Sequence, residues 1–393
     1  MREEMLLIYL ISFLASLDML GLAPLMAPYA RAVGAPIHLV GWIVAFYSVA
    51  NLAGNLSGGW WADRAGRKLP LIVGLVTMAT ALFAYPLLRE PLAILVVRAL
   101  HGLGNALVTP AALAYLGDAS SSTSRGRTMA LYGVTYGMAG LIGPPMTGWL
   151  RDQVGYGGVF VGLSALVLAV ALVAMAKIRD REASVAERPA SKIPWRSLLG
   201  VGVSVSFFAA FCWMFAKGTL LVFLPLIGEE RGFRAAQVGM LFGSFALTAA
   251  LVQASPLGRL SDRWGRLPFI AAGLFLLATA MVALSASRSW GEMMGAMASF
   301  GLGFGLLFPA ALALLVDQTT SKTRGQVFGI FMAMLSVGTI AGSGMAGWMD
   351  QWHQTAGIHP FQLVALVLSI GLLWTGISVL ITRQARRALP NWR

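Results

Sequence analysis

Three charged side chains stand inside stretches that are otherwise hydrocarbon: Asp18, Arg98 and Lys217. A charge held in lipid costs at least ~2.5 kcal/mol on insertion scales, so each is a candidate for proton or ion chemistry. A carboxylate beside a cation gives up its proton easily, and the same carboxylate left alone in a dry cavity keeps it. A conformational change that alters this distance therefore moves a proton. Asp18 is the carboxylate suited to that use, with Arg98 and Lys217 as the cations. A static buried ion pair is the alternative use of the same residues. His101 follows Arg98 by one helical turn; it could relay protons, but a lone histidine on an interior face is more often a packing residue that makes hydrogen bonds. Glu292 reads as lying at the mouth of a span rather than deep within it.

The elements that must position these groups are membrane spans. Of 393 residues, 58% are hydrophobic and 11% charged, where soluble chains carry roughly 25% charged residues. Apolar stretches of about 20 residues, each enough for a ~30 Å hydrocarbon core, fill most of the length. Twelve spans are predicted, over 5–29, 38–62, 69–88, 91–117, 127–150, 158–176, 196–226, 236–260, 267–287, 290–316, 325–349 and 361–382. The first reads as retained, because no small-residue cleavage site of the A-x-A kind follows it and it contains Asp18. The single cysteine, Cys212, lies in a span, the four histidines are scattered and no C-x-x-C occurs. No disulfide, metal site or cofactor is expected.

The net charge of +13 follows topology. With the N-terminus inside, the cytoplasmic segments hold most of the Arg and Lys, among them Arg64, Arg67, Lys68, Arg125, Arg127, Arg259, Arg263, Arg266 and Arg324. This positive-inside bias places both termini in the cytoplasm. The basic charge is then no nucleic-acid footprint, and no nucleic-acid partner is expected. The expected partners are the lipid bilayer, a small-molecule substrate and protons. The expected setting is a monomeric multi-pass protein of the plasma or inner membrane.

The chain is written twice. A shift of 199 residues lays Gly59, Asp63, Arg64, Gly66 and Arg67 on Gly258, Asp262, Arg263, Gly265 and Arg266. The same shift lays Gly102 and Gly104 on Gly301 and Gly303, Pro110 on Pro309, Asp118 on Asp317 and Gly148-Trp149 on Gly347-Trp348. It also lays Asp18 on Lys217, an acid on a base. Two parallel six-helix halves follow, 1–176 and 195–393, joined by a polar cytoplasmic linker over 177–194. Parallel halves of this kind are a transporter design with the substrate site between them near the midplane.

G-x-x-x-D-R-x-G-R between spans 2 and 3, repeated between spans 8 and 9, resembles the signature of the major facilitator superfamily. "RALHGLG", Arg98 to Gly104, is similar to that family's R-x-x-x-G-x-G pattern, with His101 where the drug:proton antiporter branch often has Gln. "GLIGPPMTGW", residues 140–149, is similar to the antiporter G-P-x-x-G-G pattern, with Thr147 in place of its first closing Gly. "LGLAPLMAP", residues 20–28, is similar to the proline-bearing end of span 1 in that branch. The resemblance covers essentially the whole chain. It implies an all-α membrane protein of twelve transmembrane helices in two pseudo-symmetric bundles.

The repeated charged turn needs Gly66 to reverse the chain and cations for topology, but acids contribute little to topology. Asp63 is therefore expected to be a latch residue. Gly59, Asp63, Arg64, Gly66, Arg67 and Asp118 form the set in the first half, and Asp262, Arg263, Arg266 and Asp317 repeat it in the second. Each latch acid is expected to face a helix N-terminus of the other half, where unpaired N–H groups favour an anion. A turn shaped by topology alone is the alternative. Gly143, Pro144, Pro145 and Gly148 are expected to pack and bend span 5. Asn51, Asn55 and Asn105 on one side, with Tyr132, Tyr136 and the aromatic Phe211 segment, suggest a cavity with a polar wall and an aromatic wall. Such a cavity suits an amphipathic or lipophilic compound. Asp18 and Lys217 are expected to approach one another in the outer half of the membrane, with Arg98 nearby.

The function expected is proton-coupled export of small amphipathic or lipophilic compounds by alternating access. A lipid or glycolipid flippase and a sugar or metabolite exporter of the same fold are the alternatives. No G-x-x-x-x-G-K-[ST] loop is present, so ATP is not the direct energy source. An integral membrane enzyme would need a nucleophile–base arrangement or a cluster of acids and histidines at one face, and none is legible. The chain is not expected to be an enzyme.

Overall fold

The computed structural model describes residues 2–121, 124–179, 200–320 and 323–388. Most of the expected linker, from 180 onward, lies outside the described residues. Among the described residues the regular structure is all helical. The helices are α1 (Arg2–Gly21), α2 (Ala23–Ala32), α3 (Ile37–Ala65), α4 (Lys68–Ala84), α5 (Pro91–Asp118), α6 (Arg125–Lys177) and α7 (Val201–Glu230). They continue as α8 (Ala235–Ala254), α9 (Leu257–Trp264), α10 (Arg266–Ala286), α11 (Trp290–Asp317), α12 (Arg324–Gly344), α13 (Ala346–Ala356) and α14 (Pro360–Ala388). A 3-10 turn, Tyr85–Leu87, follows α4.

Lipid offers the backbone no hydrogen bonds, so apolar runs of this length close their own i→i−4 ladders. Among the described residues, eleven helices are long and apolar enough to cross a membrane. The 53-residue α6 would run ~80 Å at ~1.5 Å per residue, more than twice a ~30 Å core. It breaks at Gly155, whose φ of 69° lies in the left-handed region that a side chain disfavours. Counting its two arms separately gives the twelve-helix membrane architecture. Leu10, Val96, Leu100, Phe275 and Leu373 lie exposed on helix surfaces, as lipid-facing side chains do.

Helices meet where small residues stack. A Cβ at Gly102 of α5 would strike the Tyr47 carbonyl of α3, and one at Gly104 would strike Gly74 of α4. Gly301 of α11 repeats the first contact on Phe245 of α8, and Gly303 repeats the second on Gly273 of α10. With no hydrophobic force between helices in lipid, close backbone approach supplies the attraction.

The chain forms two compact units. The first is Met1–Arg188 with Leu220–Gly243 and Ser343–Gly347, and the second is Pro189–Thr219, Ser244–Gly342 and Trp348–Arg393. In the first unit α3 packs on α5, α1 on α6, and α4 on both α5 and α6. In the second, α10 packs on α11 and α14.

Candidate functional site

Asp18 comes one turn before α1 ends at Gly21, and it is fully enclosed. Gly21 is held by α6, where Gly143 lies against its backbone and the Thr147 hydroxyl sits 2.6 Å from its carbonyl. The threonine that departs from the glycine pattern thus ties α6 to α1. On α5, Asn105 donates its amide to the Ala15 carbonyl at 3.2 Å and locks α5 to α1. Asn51 of α3 donates to Asn105 at 3.4 Å. Asn51 and Asn105, read from the sequence as a cavity wall, therefore join α3, α5 and α1.

These contacts bring His101 to Asp18. The imidazole Nε2 lies 2.6 Å from Asp18 Oδ2, and both side chains have no exposed surface. On the other side of the ring, Nδ1 faces the Tyr85 hydroxyl at 3.3 Å. Tyr85 is fixed in turn by the Tyr29 hydroxyl, which donates to its carbonyl at 2.5 Å. Tyr47 of α3 meets the imidazole edge to face at 5.4 Å. Arg98, expected beside the carboxylate, lies over the Tyr47 ring at 4.5 Å. Asp18 Oδ1, Arg98 Nε and the Tyr47 hydroxyl are buried with no hydrogen-bond partner among the described residues. The carboxylate's partner among the described residues is the histidine that the sequence reading left to packing.

Lys217 belongs to the second unit and Asp18 to the first. Within its unit the Lys217 ammonium stands 5.8 Å from the centre of the Trp213 ring. Trp213 stacks on Phe304 at 4.1 Å, and Phe304 meets Phe245 at 5.6 Å. Phe208, Phe211 and Phe215 stack in succession along α7. Phe211 lines a groove of about 660 Å³ with Phe207, Phe208, Met334, Val337 and Trp374. Tyr136 is 41% exposed and Tyr132 partly buried on α6. The surroundings of Asn55 lie outside the described residues.

The two charged turns share one backbone. Gly66 has φ 80° and Gly265 φ 92°. After the first, Arg67 donates from Nε to Asp118 at 3.0 Å. After the second, Arg266 donates to Asp317 at 3.2 Å, to Ser261 at 3.2 Å, and to Asp262. Arg263 is exposed. The surroundings of Gly59, Asp63 and Arg64 lie outside the described residues.

A second ionic cluster, missed in the sequence, joins α6 to α7 and α8 in the first unit. Asp152 accepts from the backbone N–H groups of Ala235 and Ala236 at 3.1 and 3.0 Å, satisfying donors at the start of α8. Arg151 pairs with Glu229 at 2.8 Å, and Tyr156 donates to the same carboxylate at 3.2 Å. Helical geometry continues through Pro144 and Pro145, and the only break inside α6 is at Gly155. A Cβ at Gly239 of α8 would strike the Pro144 carbonyl, and one at Gly243 would lie 3.1 Å from Pro145. The proline pair is thus also a contact surface for α8. Glu292, at the start of α11, forms a capping box with Ser289.

The model of the Major Facilitator Superfamily matches residues 8–234 and again 206–391. The chain belongs to the major facilitator superfamily. It is a multi-pass membrane transporter and not an enzyme. It is 22% identical to an uncharacterized MFS-type transporter of Methanocaldococcus jannaschii, covering 95% of this chain and 97% of that one. It is 25% identical to the multidrug resistance protein MdtG of Enterobacter lignolyticus, covering 93% and 89%. A bacterial homolog of the human lysosomal transporter Spinster, solved in an inward-facing and unoccupied conformation, superposes with a TM-score of 0.78. That match is at 16% identity and covers 100% of this chain and 98% of the other. For this major facilitator chain, the resemblance seen in the turns and in "RALHGLG" is one of family, and the Asp18–His101 contact is a feature of its own residues.

Proposed function

We propose that the chain is a proton-coupled exporter of small amphipathic or lipophilic compounds. It works by alternating access, as a monomer in the cell membrane with both termini in the cytoplasm. One observation carries the reading: a fully enclosed carboxylate inside a span, with Oδ2 on an imidazole and Oδ1 unpartnered. A buried acid costs too much to keep for packing alone, and its protonation state follows its surroundings. Arg98 and Lys217 are the fixed and mobile cations of the mechanism. The name of the similar multidrug resistance protein supports export of drug-like compounds. In this reading the turns around Asp63 and Asp262 latch the cytoplasmic side, and the Asp152 and Glu229 contacts hold the outer side.

The test uses purified protein in proteoliposomes, with ethidium as an amphipathic cation. A pH gradient should drive ethidium accumulation by the parent, and Asp18→Asn should lower that accumulation by about 100-fold or more. That factor corresponds to about 2.7 kcal/mol. Size-exclusion profiles and thermal melting check that the variant is folded. Accumulation by the parent that ignores the pH gradient overturns proton coupling. Undiminished gradient-driven accumulation by Asp18→Asn removes Asp18 from it.

A further inference from the structure

We infer that His101 and Asp18 form a single proton-binding unit, in which the imidazole takes up the proton and Tyr85 marks the side from which it arrives. The inference rests on the reading of Asp18 as the coupling residue and adds where the proton is held.

With Asp18 ionised, the geometry leaves one tautomer. At 2.6 Å a hydrogen must lie between His101 Nε2 and Asp18 Oδ2, and an ionised carboxylate can only accept. Nε2 therefore carries the hydrogen of the neutral ring, and the lone pair of Nδ1 points at the Tyr85 hydroxyl 3.3 Å away. A phenol oxygen donates to a neutral ring and accepts from a charged one, so Tyr85 suits both states. Proton uptake then forms one bond, N–H at Nδ1, with the proton leaving a water-borne donor. The product is an imidazolium–carboxylate pair in which Nε2–H still donates to Oδ2.

The neighbours decide what this does to charge. From α3, Tyr47 presents its ring edge to the imidazole at 5.4 Å. From α2, the Tyr29 hydroxyl is spent on the Tyr85 carbonyl. On α5 itself Arg98 keeps its guanidinium over Tyr47 at 4.5 Å. The formal charges nearby are thus one arginine and one aspartate, balanced while the imidazole is neutral. Loading the proton turns a balanced nest into a positive one, and the ion pair with Asp18 makes that tolerable. A lone buried histidine in the same place would resist the charge.

The direct test needs no substrate. The chain has four histidines, so His38, His353 and His359→Gln leaves His101 as the sole imidazole for 15N NMR in micelles. At alkaline pH the ring should show the Nε2–H tautomer, and acidification should convert it to imidazolium in one step. Adding Asp18→Asn should move that step by about one pH unit or more toward acid, since the favourable anion is gone. Tyr85→Phe should move it less and keep the tautomer. An Nδ1–H tautomer, a ring that stays neutral to about pH 4, or a step indifferent to Asp18 overturns the inference.

A second measurement covers a triple variant that does not fold. In ethidium-loaded proteoliposomes, His101→Gln should cut gradient-driven accumulation about tenfold or more and shift its pH midpoint toward acid. Its glutamine can still donate to Asp18 but cannot hold a proton. If the parent is proton-driven and His101→Gln matches its pH profile, the dyad has no part in coupling and only this inference falls. If the 15N result holds while the parent ignores the pH gradient, the proton site stands and the coupling reading of Asp18 falls.

Discussion

The middle of α5 and the middle of α11 stand at equivalent places in a 199-residue repeat, yet they carry opposite chemistry. On α5, Arg98, His101 and Asn105 build a polar nest around Asp18. Their counterparts on α11 are Met297, Phe300 and Phe304, and the two phenylalanines join Trp213 and Phe245 in an aromatic cluster. The scaffold underneath is the same in both. Gly102 and Gly301 receive a backbone carbonyl from the neighbouring helix, and Gly104 and Gly303 meet Gly74 and Gly273. Duplication kept the residues that set helix spacing and released those between them. One copy could then hold a charge while the other holds rings.

Cutting the aromatic side is the largest way to sharpen that contrast. Trp213→Ala removes the ring stacked on Phe304 and the face beneath Lys217, and should cost about 3–5 kcal/mol in thermal stability through the cavity it leaves. The pH at which the Asp18–His101 dyad takes up its proton should stay at the parent value, because that dyad lies in other residues. A shifted midpoint in Trp213→Ala would break the division of labour between the copies.

The shared scaffold is tested next. Gly102→Ala and Gly301→Ala each push a methyl group into a facing carbonyl, and each should destabilise by about 1–3 kcal/mol. Melting curves in detergent should fall by similar amounts for the two. A large loss in one and none in the other would mean that the two copies are not built alike.

The fold was legible because lipid imposes few solutions. Apolar length, loop cations and a single repeat register locate the spans, and Gly66 and Gly265 mark the same left-handed turn twice. The site was legible in part. Asp18 and Arg98 announce themselves as charges in hydrocarbon, but the partner of Asp18 does not. His101 is 83 residues away in sequence, and its meeting with Asp18 depends on a helix contact fixed by Asn105 and Thr147. Its place one turn from Arg98 was the available signal, and it says which face the histidine shares without naming what it touches. Asp152 was hidden for a different reason. An acid at a helix end has no pattern of its own, and the N–H groups it binds start another helix 83 and 84 residues on.

That cap gives a smaller, local prediction. Asp152→Ala leaves the first N–H groups of α8 without acceptors and should cost about 1 kcal/mol, within the 0.5–2 kcal/mol range of lost helix caps. Asp152→Asn keeps one acceptor oxygen and should recover about half of it. Equal melting temperatures for parent and Asp152→Ala would show that the α6–α8 junction is held by Gly148, Gly239 and the prolines alone.

The smallest expected effect compares the two charged turns themselves. Arg67 and Arg266 are the same residue of the repeat, each donating from Nε to the aspartate that ends the following long helix. Their exposure differs. The Arg67 and Asp118 side chains are 8% and 29% exposed, against 21% and 50% for Arg266 and Asp317. Water screens the second pair more, so Arg67→Gln should cost about 1 kcal/mol and Arg266→Gln less than about 0.5 kcal/mol. Salt supplies the control. Raising it to about 1 M shortens the screening length to about 3 Å and should erase the Arg266 effect while sparing most of the Arg67 effect. If the order reverses, burial does not decide the strength of these pairs, and the second turn, where Arg266 also meets Asp262 and Ser261, is the stronger of the two. In that case the repeat would have divided its turns as it divided its spans, with the tighter ionic cluster in the copy that carries the aromatic rings.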